Sequence, residues 1–216
     1  MNKYLKILSA TALSLCLFCL AGCNSKDKLD KSDPVHIAIE LTDGRSIKAD
    51  LYPHIAPKTV ENFTKLINEN FYDGLIFHRV IDGFMIQGGG YDESFYDGNL
   101  NQKEADSIKG EFTQNGFTNN LKHTKGVLSM ARTQDPDSAS SQFFIMHSDY
   151  PSLDEQYAAF GEITDTAESM QVVDSIATAP TTEVYGTLNY NGYEMEQTME
   201  DVPETPVVIK TIKIIE

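Results

Sequence analysis

An arginine, two soft apolar side chains and an amide fall within the eleven residues Phe77-His78-Arg79-Val80-Ile81-Asp82-Gly83-Phe84-Met85-Ile86-Gln87, and Gly88-Gly89 follow. On a strand, alternate residues share a face, so Phe77 lies with Arg79 and Met85 with Gln87. Further along come Leu128-Ser129-Met130-Ala131-Arg132, then Ser140-Ser141-Gln142-Phe143-Phe144-Ile145, then Leu153-Asp154 and Tyr157-Ala158-Ala159-Phe160-Gly161. A guanidinium is a planar, permanently charged fork of donors. Such a set offers charge-assisted hydrogen bonding beside an apolar surface.

Other chemistries lack their signals. Gly88-Gly89-Gly90 is too short and wrongly flanked for a dinucleotide fingerprint, and no Gly-x-x-x-x-Gly-Lys run exists. Neither His-Glu-x-x-His nor Gly-x-Ser-x-Gly occurs, and His36, His54, His78, His123 and His147 fall singly rather than at metal-ligand spacing. Asp135-Pro136-Asp137 begins like a calcium loop, but Ala139 and Ser140 stand where a ligand and the turn glycine are needed. No metal and no cofactor is expected.

The elements that must position these residues can be read from periodicity. Val35, Ile37, Ile39 and Leu41 alternate with more polar neighbours, Thr42-Asp43-Gly44-Arg45 supplies a turn, and Ile47, Ala49 and Leu51 alternate again, which predicts a hairpin. After Pro57, the spacing of Val60, Phe63, Leu66, Ile67 and Phe71 predicts an amphipathic helix ended by Asp73-Gly74. Short apolar stretches follow at 76–81, 84–86, 126–130, 143–146 and 158–163. A second helix fits 166–177, and 207–215 reads as a closing strand. Many short strands with two helices predict a mainly β fold, an antiparallel sheet closed into a barrel. Residues 91–124 and 178–205 read as long polar loops.

The first residues read as a leader rather than as part of this fold. Lys3 and Lys6 precede the apolar run Ile7 to Leu20, which is short for a spanning helix. Its ending, Leu20-Ala21-Gly22-Cys23, resembles the lipobox of bacterial lipoproteins, in which the cysteine thiol is acylated. The expected organisation is a signal peptide over 1–22, a lipidated Cys23 with a polar tether over 23–34, and one domain over 35–216. All three cysteines, Cys16, Cys19 and Cys23, fall within the first 23 residues and outside the domain, so no disulfide framework is expected. With 32 Asp and Glu against 17 Lys and Arg, the chain lacks the clustered cations that a nucleic-acid partner requires. The expected localisation is extracytoplasmic, at a bacterial cell membrane and held only through the lipid.

The Phe-His-Arg-x-x-x-Gly-Phe-Met-x-Gln-Gly-Gly block at 77–89 and the Ser-Gln-Phe-Phe-Ile block at 141–145 together resemble the cyclophilin family of peptidyl-prolyl cis-trans isomerases. The resemblance spans about 35–216. It implies a closed eight-stranded antiparallel barrel capped by two helices, with the substrate groove on its outer face. It also implies that Arg79 is the catalytic arginine, with Gln87 beside it. Phe84, Met85, Phe144 and Leu153 would line a proline pocket, and Gln142 would flank the peptide. Ala131 and Arg132 would pair with the peptide backbone, while His78 and Tyr157 complete the site.

That chemistry needs such a set. Rotation about an X-Pro bond breaks amide resonance across a barrier of about 18–20 kcal/mol. As the bond twists, the prolyl nitrogen gains a lone pair, and a fixed guanidinium held by neighbours such as Gln87 can donate to it. The implied partners are proline-containing segments of exported proteins, met by a monomer. Ser152 stands where many members have Trp, Tyr157 where His is frequent and Arg132 where Asn is common, so weak cyclosporin binding is expected. Two rival readings are a non-catalytic module that holds proline-containing or chaperoned clients, and an anchored adhesin.

Overall fold

The computed structural model describes residues 30–190 and 192–216. The leader, Cys23 and most of the predicted tether lie outside the described residues.

Strands β1 (Val35–Leu41) and β2 (Ser46–Leu51) form the expected hairpin, with Ile37 opposite Ala49 and Ile39 opposite Ile47 on the buried face. Helix α1 (Pro57–Asn68) buries Val60, Phe63, Leu66 and Ile67. Its first backbone N–H groups have no partner within the helix. The carboxylate of buried Glu111 accepts from Lys58 N at 3.0 Å and Thr59 N at 2.8 Å. Strands β3 (Leu75–Ile81), β4 (Met85–Asp92), β5 (Val127–Met130), β6 (Phe143–Met146) and β7 (Ala159–Ile163) follow, then α2 (Glu168–Ala177), β8 (Thr181–Tyr190), β9 (Tyr193–Pro203) and β10 (Ile209–Ile214).

Eight strands make one antiparallel sheet in the order β10-β1-β2-β7-β5-β6-β4-β3. Its two ends meet through a bridge between Ile76 and Val208 and through bonds from Phe77 N to the Val207 carbonyl and from Gly74 N to the Ile209 carbonyl, so the barrel is nearly closed. Phe63, Phe77, Phe143 and Phe160 fill the interior with ring centroids 5.1–5.9 Å apart where they meet. A register shift between Phe77 and Arg79 leaves Phe77 inside while Arg79 faces outward, against the shared face expected from alternation. The apolar faces of both helices enter this same cluster.

Residues 178–205 are not a loop. They carry a second, two-stranded sheet, β8 paired with β9, from Thr181↔Pro203 to Tyr190↔Tyr193. Most of β9 is exposed, so the hairpin lacks the buried apolar face by which a strand is usually recognised. The other predicted loop is partly structured: β4 runs on to Asp92, and 3-10 turns form at Glu93–Asp97 and Thr113–Asn115. Phe95, Leu100, Phe112 and Leu121 from this segment are buried. Thr187 N donates to the Gly98 carbonyl at 2.8 Å and ties the hairpin down.

Candidate functional site

Alternation on β4 and β6 sets up the site. Ile86, Phe143 and Ile145 point into the barrel, so Met85, Gln87, Phe144 and Met146 point outward. Met85 and Phe144 join Ala159 and Tyr52 in a second apolar cluster on the outer wall, with Phe84, Ala131, Leu153 and Tyr157 packed against it. Phe84 is presented by a turn: His147 N donates to the Phe84 carbonyl at 2.9 Å, and His147 Nδ1 accepts from Gly83 N at 2.9 Å.

A cavity of about 160 Å³ opens over this cluster. Phe84, Met85, Phe144, Leu153 and Tyr157 line its apolar side, and Arg79, Gln87, Ala131 and Arg132 complete its wall. Its volume falls well below the roughly 300–1,000 Å³ of a drug-sized site, and suits one small ring. A second cavity of about 480 Å³ shares Arg79, Gln87, Ala131 and Arg132 and adds His78 and Gln142. All eleven catalytic and substrate-binding residues expected from the sequence thus line one or both of two adjoining cavities.

The arrangement within that set differs from expectation in three ways. Arg79 and Gln87 are cross-strand neighbours, but Gln87 forms no hydrogen bond with the guanidinium, and its Nε2 donates to Gln142 Oε1 at 2.8 Å. The ion partner of Arg79 is Asp201 on β9, with Nε 3.4 Å from Oδ2. Arg132 does more than offer its backbone. Its guanidinium lies between the rings of Phe112 and Tyr157, at 5.0 and 4.7 Å from their centroids, and Nε and Nη2 both donate to the Gln156 carbonyl. His78 is almost wholly buried, packed 4.6 Å from the Tyr91 ring, with Nδ1 unpartnered. Burial, and then the charge of Arg79, push its pKa down to about 3, so it stays neutral.

Ser129, His123 and Asp154 form a chain that resembles a hydrolase triad. His123 Nε2 lies 3.0 Å from Ser129 Oγ, and Nδ1 lies 3.2 Å from Asp154 Oδ1. Ser129 is 0% exposed, so no substrate can reach it. The chain instead supports the site from below, because the His123 ring stacks 6.1 Å from that of Phe144.

A family model described as cyclophilin type peptidyl-prolyl cis-trans isomerase/CLD matches residues 36–214. The chain belongs to this family of isomerases. A peptidyl-prolyl cis-trans isomerase from Acinetobacter baylyi is 41% identical over 175 residues, which cover 78% of this chain and 80% of that one. Peptidyl-prolyl cis-trans isomerase A from Dickeya dadantii is 34% identical over 220 residues, covering 100% and 99%. Among solved structures, a cyclophilin-type isomerase from Cryptosporidium parvum matches with a TM-score of 0.64 and 26% identity, over 85% of this chain and 98% of that one. A second structure of that protein was solved in the presence of the dipeptide Ala-Pro. The cyclophilin described here catalyses peptidyl-prolyl cis-trans isomerisation.

Sequence reasoning missed Asp201, and with it Gln197 and Met199, which form one side of the larger cavity. Two signals were available. Asn191-Gly192 between two tyrosines is a strong hairpin signature, and Tyr193, Met195, Gln197, Met199 and Asp201 keep period-2 spacing.

Proposed function

We propose that this cyclophilin isomerises X-Pro bonds in exported, partly folded proteins, with Arg79 as the donor that meets the twisted bond. It acts as a monomer beside a bacterial membrane, held by an acylated Cys23 and a tether whose ten or so residues reach about 18 Å. The two helices close the mouths of the barrel and leave its outer wall free for clients.

The observation that carries this reading is the placing of a guanidinium at the rim of a small apolar cavity. The proline ring fills the cavity over Phe144 and Met85, and the acyl side of the bond turns. As resonance is lost, the prolyl nitrogen becomes pyramidal and its lone pair localises. The terminal nitrogens of Arg79 form no hydrogen bond to any described residue and so are free to donate there. That bond is stronger in the twisted state than in either planar one, which is the condition for acceleration. The ring of Phe144 keeps water from one side and strengthens the contact. No bond to the enzyme forms and no proton is transferred.

The test is exchange NMR of a short X-Pro peptide with the domain from residue 24 onward and with its Arg79→Ala variant. A fall in exchange of about a hundredfold, with peptide affinity kept, is the expected result. Binding without acceleration by the parent protein would favour a holding module instead.

A further inference from the structure

We propose that Asp201 is a positioning residue for Arg79, and that the β8–β9 hairpin belongs to the catalytic apparatus through it. The inference rests on the assignment of Arg79 as the donor.

Three features on β9 point the same way. First, the register between β8 and β9 shifts between Thr182 and Val184. Thr182 pairs with Val202 and Val184 with Met199, so Glu200 and Asp201 together oppose the single residue Glu183. This is a β-bulge, a device that re-aims a side chain and recurs next to active sites. Second, Asp201 has φ of 59°, a left-handed conformation that Asp tolerates better than most residues but that still carries strain. Third, the segment just beyond it is pinned. Val202 is fully buried against Ile76 and Phe95, and the Pro203 carbonyl accepts from Tyr96 Oη at 2.8 Å.

The strained, anchored turn therefore delivers one carboxylate to Arg79 Nε, at 3.4 Å. An ion partner on the Nε side draws the fork toward β9 and leaves both terminal nitrogens for substrate. Gln87 does not supply this restraint: its acceptor Oε1 takes no hydrogen bond from Arg79, and its Nε2 donates to Gln142. A carboxylate close by also weakens the field of the guanidinium. Both side chains are 39% exposed, however, so solvent screens that effect.

The test compares Asp201→Asn, Asp201→Gly and the parent by exchange NMR across a peptide titration, with thermal unfolding of each. Both variants should lose about tenfold in kcat and keep peptide Kd within about twofold. Asp201→Gly should unfold at or above the parent temperature, because glycine relieves the positive φ. A stability role alone predicts the reverse order of effects. In an Arg79→Ala background, Asp201→Asn should change the residual rate by less than about twofold. The proposal is overturned by a kcat equal to or above that of the parent, by a loss confined to Kd, or by an undiminished effect without Arg79. A parent protein that fails to accelerate exchange would remove the isomerase assignment itself, which is a different outcome from variants that match an active parent.

Discussion

Gln142 Oε1 accepts a 2.8 Å hydrogen bond from Gln87 Nε2 where the two cavities adjoin, so two amides on different elements act as one unit. A Cβ at position 90 would lie 2.7 Å from Gln142 Cγ and Nε2. Gly90→Ala should therefore push Gln142 aside and break the pair without touching the apolar cavity. The expected result is a fall in stability of about 0.5–1.5 kcal/mol, the net worth of one hydrogen bond, together with a lower kcat/KM. Exchange NMR beside a melting curve checks it; an unchanged kcat/KM would show that the amide pair does not serve catalysis.

Arg132 joins three segments through Phe112, Tyr157 and the Gln156 carbonyl. Arg132→Ala should cost about 2 kcal/mol and lower the melting temperature by roughly 4–8 °C. Arg132→Lys should recover only part of this, because an ammonium cannot both stack and bond through two nitrogens. Equal melting temperatures for Lys and Arg at this position would contradict the stacked geometry.

His78 makes stability pH-dependent. Its pKa is about 3 in the fold against about 6.5 when unfolded, so between those values the unfolded chain binds more protons. The stability tied to neutral His78 is fully present above pH 6.5 and declines as pH falls toward 3. Burial also lowers the His123 pKa, which adds a decline of the same sign. Between pH 6.5 and 5 the His78 contribution is about 2 kcal/mol. Urea unfolding at pH 7.5 and 5.0 should show the parent losing about that much more than His78→Phe. Parallel losses in the two proteins would show that His78 is protonated without cost.

Ser129 should not behave as a nucleophile. A fluorophosphonate reagent is expected to leave it unlabelled, since the serine is fully buried. Ser129→Ala removes the partner of His123 Nε2 and should cost about 1–3 kcal/mol in stability. Labelling of Ser129 in the folded protein would mean that the pocket above Phe144 opens.

Much of the barrel and of the apolar site could be read from the sequence, because strands such as Val35–Leu41 and Phe143–Met146 carry their burial in their residue types. The blocks at 77–89 and 141–145 carry seven of the eleven expected site residues: His78, Arg79, Phe84, Met85, Gln87, Gln142 and Phe144. What could not be read was polar geometry. Nothing in the order of residues says that Gln87 reaches Gln142 rather than the Arg79 opposite it, since both partners lie within reach. Asp201 was hidden for a different reason. Its strand is exposed along most of its length, and its side chain meets Arg79 only because a bulge turns it there.

The alternation that places Met85 and Gln87 outward has a further effect during assembly. Strand β6, with Phe143-Phe144-Ile145-Met146, is apolar on both faces and would look much the same to its neighbours if it slid by one residue. Strand β4 would not. A one-residue slip there would drive the Gln87 amide into the interior filled by Phe77 and Phe143, and would bring Ile86 out to water. An amide buried without partners costs several kcal/mol, so mispaired barrels are disfavoured while they form. A side chain that borders the small apolar cavity thus also serves as the mark by which the sheet finds its correct register.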